Sequence, residues 1–245
     1  ARLVADAGCT LRQLHDARSL DDYRSLGAST LLLTRTSAGW YGLERVARRL
    51  GRTALCLPPA LSYDAIDAGL AQLAGALGTE APSTRARRAA CDEALGALAA
   101  ELAGVPIAID HAAVNHPLEL ARLLIEHGLD VRRVYVDVVS LEERGAFAWL
   151  RGHAPDLELW STIHPTLRQA SRDAGDGWLA IGPKAAWFCG TSHFVNIIET
   201  DGMWGYAAIM GLVGLMRDAW THAKDAKALV PRKGLGMPCA CQVPR

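Results

Sequence analysis

The chain has 245 residues, half of them hydrophobic and 21% charged, which fits one large or two ordinary folded domains. Lys plus Arg (26) equals Asp plus Glu (26), a balance that argues against a nucleic-acid binder, for which a basic excess is expected. No run reaches the roughly 18 uncharged apolar residues of a membrane span, no basic and apolar leader opens the chain, and six cysteines are too few and too irregular for a disulfide scaffold; a reducing, cytoplasmic compartment is predicted.

In chain order, "ARLVADAGCTL" reads as the end of a helix running into a short strand or loop. It has no visible preceding strand to pack on, so the expectation is that the first unit is incomplete and that upstream residues would cover it. Ser19 is placed to cap a helix ahead of Asp21 and Asp22. "TLLLT" (Thr30–Thr34) is a buried-strand run, "WYGLERVARRLG" a helix closing on Gly51, "TALCLP" (Thr53–Pro58) a strand, and "SYDAIDAGLAQLAGALG" a helix that also closes on glycine. An Ala-rich helix follows, beginning at the locally basic "TRARRAA", which reads as one solvated face.

From "PIAID" (Pro106–Asp110) a fresh strand–helix series starts: helix "HPLELARLLIEHG", strand "DVRRVYVDV", helix "SLEERGAFAWLRGHAP" and strand "DLELWST". Then come helix "HPTLRQASRDAG", strand "WLAIG", a short helix near "PKAAW", strand "FVNII" and a long final helix. The alternation predicts an α/β protein of two Rossmann-like three-layer units with mostly parallel sheets, 1–104 and 105–245, divided near Gly104.

Parallel sheets bind ligands beyond the carboxyl ends of their strands. That rule selects Arg35, Thr36 and Ser37 after "TLLLT", Pro58 and Pro59 after "TALCL", and Asp110, His111 and His116 after "PIAID". It also selects Thr162 and His164 after "LELWST", Gly182, Pro183 and Lys184 after "LAIG", and Asn196 and Glu199 at the end of "FVNII". Each lone His has an ordinary reading as a surface or turn residue. Lys184, a cation at a strand end beside a helix start, is suited to an anion or a carboxylate. Cys239 and Cys241 in "PCAC" supply two thiols, which do not complete a tetrahedral metal site. There is no G-x-G-x-x-G after a strand, no Walker A loop and no G-x-S-x-G elbow, which argues against nucleotide binding, phosphoryl transfer and α/β-hydrolase chemistry.

Met203, Trp204, Gly205 and Tyr206, followed by "GLMRDA" (Gly214–Ala219), resemble the aromatic-Gly-aromatic step and long helix of the last domain of nitrogenase component 1 proteins. "IGPKAAWFCG" is similar to that family's Gly-x-Lys segment, "APDLEL" (Ala154–Leu159) to its Pro-Asp-Leu step, "GMPCACQVP" to its tail, and "TLLLTRTSAGWYGLERVARRLG" to its second domain. The resemblance implies three Rossmann-like domains around a metallocluster or tetrapyrrole site, two of them in this chain. It implies an oxidoreductase subunit that carries an iron–sulfur cluster or related metallocofactor, pairs with a homologous component 1 subunit, and takes electrons from an ATP-dependent iron–sulfur reductase.

The ligand pattern departs from the nitrogen-reducing members. "TRTSAGW" stands where a ligating Cys is expected, and Val195 or Asn196 where a ligating His is expected, with His193 the nearest histidine. A divergent reductase subunit is therefore the leading expectation, with a cofactor-assembly scaffold and a small-molecule binding module as alternatives. The cofactor-binding candidates are Arg35, Ser37, Lys184, His193, Asn196 and Glu199, and all of them but His193 are expected to converge on one inter-domain groove. The acidic Gly turn before the last helix would shape the mouth of that groove. Gly205, Ala208, Gly211 and Gly214 would let that helix pack closely on a partner.

Overall fold

Two short apolar runs, Leu31–Thr34 (β1) and Thr53–Cys56 (β2), pair in parallel with Leu31 opposite Thr53. The computed structural model that shows this describes residues 2–165, 167, 175–199, 204–226 and 228. The chain divides into two compact units, Ala1–Ala86 and Arg87–Arg245. In the first, β1 and β2 carry helices Arg2–Asp6 (α1), Leu20–Leu26 (α2), Ser37–Leu50 (α3) and Tyr63–Leu77 (α4). Its core is small: Val4, Leu57 and Leu73 form one buried cluster with Leu31, Leu33 and Leu55 half-covered around it, and Leu61, Ile66 and three alanines are buried besides.

Three helices of this unit, α2, α3 and α4, are capped by their own neighbours. Ser19 and Asp22 form a reciprocal capping box, Thr36 accepts from the Gly39 amide, and Ser62 from the Ala65 amide. α3 and α4 close at Gly51 and Gly78, where the sequence ends them.

The second unit opens with Arg85–Glu101 (α5), whose Cys91, Leu95 and Leu98 are buried. Sequence reading groups this helix with the first unit and divides the chain near Gly104. In the structure the division precedes nearly all of the helix. The reason is its packing: Cys91 Sγ lies 3.7 Å from the Tyr206 carbonyl and Arg88 Nε donates to the Tyr206 hydroxyl at 3.1 Å. Both contacts reach the last helix, Gly205–Thr221 (α9).

Five parallel strands follow: Ile107–Asp110 (β3), Val131–Tyr135 (β4), Glu158–Trp160 (β5), Leu179–Ile181 (β6) and Phe194–Val195 (β7). Their order across the sheet is β5-β4-β3-β6-β7. The chain thus winds outward from β3 to β5, returns beside β3 with β6, and winds outward again, so the topology switches between β3 and β6. Helices Pro117–Glu126 (α6), Arg144–His153 (α7) and Pro183–Cys189 (α8) make connections.

One sheet face, with Ala108, Tyr135, Ala180 and Phe194, packs on Ala185, Ala186 and Cys189 of α8. Fully buried leucines such as Leu118, Leu120 and Leu124 each stabilise the fold by about 2 kcal/mol, the usual yield of a buried aliphatic side chain. Arg133, on the same strand as Tyr135, is accommodated between Trp160 and Trp178, 4.8 and 5.2 Å from their ring centres, with Glu158 accepting its Nε–H at 2.7 Å. Most of "HPTLRQASRDAG" and the tail with Cys239 and Cys241 lie outside the described residues, as does Met203.

Candidate functional site

The carboxyl edge of the second unit's sheet is built on acidic residues. β3 ends in Asp110, whose carboxylate is fully buried at the topological switch. One oxygen accepts from the Ala112 and Ala113 amides at 2.8 and 2.9 Å, and the other from the Ala185 amide at 2.9 Å. Ala185 is in the first turn of α8, whose N-cap residue, Gly182, has no side chain to offer; Asp110 caps the helix instead. Gly182 has φ 109°, and a Cβ there would overlap the Asp110 carboxylate and Ala113. Burial pushes the Asp110 carboxyl above its ordinary range, against the downward pull of the three amides.

Two residues beyond β4, Asp137 takes four donors from the segment after β5. These are the Thr162 amide at 2.6 Å and hydroxyl at 2.8 Å, the Ser161 hydroxyl at 3.3 Å and the Ile163 amide at 3.2 Å. Burial works against its charge, but these donors and His111 prevail and hold the carboxyl below its ordinary range. His111, just after β3, has Nε2 3.5 Å from Asp137 Oδ2 and Nδ1 3.3 Å from the Tyr135 carbonyl. Both neighbours only accept, so whichever ring nitrogen carries a proton finds a partner. His111 remains 32% exposed and Asp137 20%.

A third carboxylate, Glu143, is buried at the start of α7 and accepts from the Leu118 amide in the first turn of α6 at 2.7 Å. His116 and Glu119 lie beside each other on that turn, Nδ1 to Oε2 at 3.6 Å. Burial raises the Glu143 carboxyl, against the amides and His116. Around these groups, the loops after β4 and β5 expose large aliphatic side chains: Val138 (76%), Leu141 (71%) and Ile163 (76%).

In the second unit the predicted site residues fall in three places, and those of the first unit lie at one turn. Lys184, half-buried in the first turn of α8, and Glu199, whose amide bonds the Ala112 carbonyl at 2.8 Å, both meet the β3 end. Glu199 has φ 49°, the one left-handed non-glycine among the described residues. Asn196 is exposed just after β7. His193, in contrast, precedes β7 and is turned onto α9: Nδ1 lies 3.1 Å from the Ala219 carbonyl, and the ring packs on Trp220 at 5.1 Å. Arg35 and Ser37 are exposed at the β1–α3 turn of the first unit.

Asp137 and Glu143 are the residues that sequence reading misses. Asp137 is absorbed there into the strand "DVRRVYVDV", whereas β4 stops at Tyr135. Its acidic side chain inside an apolar alternation is the signal that points to it.

Among the described residues no group of three His, Cys, Asp or Glu is placed to hold a metal. Cys9 and Cys56 belong to the first unit, while Cys91 and Cys189 are each buried within the second, under α9 and against Tyr135 respectively. A cleft of about 620 Å³ lies elsewhere, between Asp176, Trp187, Ser192 and Lys224. Its polar walls are spent internally: Asp176 accepts from Ser192, and Lys224 pairs with Asp218. Among the described residues no helix is long and apolar enough to cross a membrane.

No protein-family model matches the chain, and no curated protein does. A solved structure described as "Nitrogenase Cp1 at pH 6.5" superposes with a TM-score of 0.52 at 17% identity, over 90% of this chain and 50% of that one. The chain spans about half the length of that neighbour. At this identity the likeness establishes a nitrogenase-like α/β fold with parallel sheets.

Proposed function

We propose that the chain is a nitrogenase-like component 1 subunit that acts as an oxidoreductase, and that the carboxyl edge of its second unit holds a large, flat, mainly apolar group of the tetrapyrrole class. The observation that supports this reading is the set of exposed aliphatic residues, Val138, Leu141 and Ile163, on the loops after β4 and β5 that also carry Asp137 and Thr162, at the edge where a parallel sheet binds its ligands. Monomeric proteins keep such side chains scattered unless something covers them. An iron–sulfur cluster held by several thiolates does not fit the described residues, because no three His, Cys, Asp or Glu among them are grouped to hold a metal and Cys91 and Cys189 are each buried in packing.

A tetrapyrrole fits them better. Its faces need aliphatic contact, which Val138, Leu141 and Ile163 offer, and His111 adds one polar contact at the rim. When bound, such a macrocycle supplies conjugated double bonds that take up electrons. The chain's own share is to bind and orient it, with Asp137 fixing the His111 ring and Lys184 available to a peripheral carboxylate. A homologous component 1 subunit and an ATP-dependent iron–sulfur reductase are the proposed partners, in the cytoplasm.

A free-base porphyrin titrated into the purified protein should shift its visible absorption, with His111→Ala weakening binding about tenfold, the worth of one lost polar contact. Anaerobically purified protein that carries stoichiometric iron and sulfide, or shows no porphyrin response, would overturn the reading.

A further inference from the structure

Sheets of this order usually receive phosphate groups on backbone amides at helix starts beyond the switch point. At this edge the amides of the strand-end turns and helix starts are already taken by the chain's own carboxylates: Ala112, Ala113 and Ala185 by Asp110, Leu118 by Glu143, and Thr162 and Ile163 by Asp137. Asp110 and Glu143 are buried, whereas Asp137 stays partly open beside exposed Val138 and Ile163. An arriving anion would meet like charge and find those donors occupied.

We propose that Asp137 is a specificity-determining residue: its carboxylate fills, from within the chain, the place of an anion, and so turns the edge toward ligands with an apolar, uncharged contacting face and away from phosphorylated ones such as nucleotides. The proposal rests on the reading of this edge as the ligand site. It adds a charge rule to that reading: a macrocycle's carboxylates must point away from Asp137.

Removing the carboxylate exposes the nest it fills. In Asp137→Ala the Ser161 hydroxyl, the Thr162 hydroxyl and amide, the Ile163 amide and His111 Nε2 remain around a vacated position. The test compares thermal unfolding of wild type and Asp137→Ala in acetate or inorganic phosphate, with chloride matching the ionic strength. The wild-type midpoint should not respond. The variant's midpoint should start lower and climb with either anion, and the variant should bind phosphate at least about tenfold more tightly than wild type. Adding Thr162→Val should remove most of that response.

If Asp137→Ala does not fold, Asp137→Asn keeps the side-chain volume, and phosphate binding by equilibrium dialysis gives the same comparison. Wild type that binds phosphate or ATP as tightly as the variants overturns the proposal, as does a folded variant indifferent to anions. Porphyrin binding by wild type is scored separately, so either result can fail while the other stands.

Discussion

Gly182 and Asp110 show how little freedom single positions have at the switch point. Gly182 sits at φ 109°, ψ 146°, a region essentially confined to glycine that costs other residues about 1–3 kcal/mol by backbone strain alone. A methyl group there would also overlap the buried carboxylate that caps α8. Gly182→Ala should therefore destabilise the second unit by at least about 3 kcal/mol, combining strain with overpacking. Urea unfolding followed by tryptophan fluorescence measures this; a loss under 1 kcal/mol, the size of an ordinary surface change, would show that the contact can relax. Both residues are visible in the sequence as strand-end positions, but their mutual contact is not. It joins positions 110 and 182, and nothing local to either names the other. The contacts of Asp137 are illegible for the same reason, since its donors lie 24 to 26 residues further along the chain.

The helices of the two units take their caps differently, and this decides which ends can be read from sequence. In the first unit Ser19, Thr36 and Ser62 cap the helices they precede, a local pattern that any reader of the chain can find. At the carboxyl edge of the second unit, α6 and α8 receive no side-chain cap from their own N-cap residues, His116 and Gly182. Glu143 and Asp110 do that work from other connections. Glu143→Ala should cost about 1–3 kcal/mol, because it strips a buried amide of its acceptor, and the Leu118 amide should exchange with solvent faster while the middle of α6 stays protected. The pH dependence has a definite sign. The folded carboxyl of Glu143 is raised above its ordinary 4.5, so the native state takes up a proton first as pH falls. Its contribution is fully present below the ordinary value and is lost as pH rises through the raised one. The stability gap between wild type and Glu143→Ala should thus be smallest at neutral pH and widen as pH drops toward 4.5. A gap that closes on acidification would contradict the assignment.

At the scale of the molecule the alternation of strands and helices was enough to predict two parallel α/β units, because apolar runs separated by amphipathic helices have few other ways to be buried. The dividing point was not legible. α5 is Ala-rich with small apolar residues on several sides, and only its partners, Tyr206 and the core around Leu95 and Leu98, assign it to the second unit. The same contrast sets the units' stabilities apart. β3 and β6 are buried at every residue, while no residue of β1 or β2 is fully covered. A two-stranded sheet covered, among the described residues, by eight buried hydrophobic side chains, three of them alanines, has little to resist local opening. Native-state hydrogen exchange should find the β1 and β2 amides opening at least about a hundredfold more readily than those of β3 and β6, a difference of about 2.7 kcal/mol in opening free energy. In urea the first unit should unfold ahead of the second, as a separate transition. Equal protection of both sheets, with one shared transition, would show instead that the two units open together and that the small core of the first is stabilised by more than its own residues.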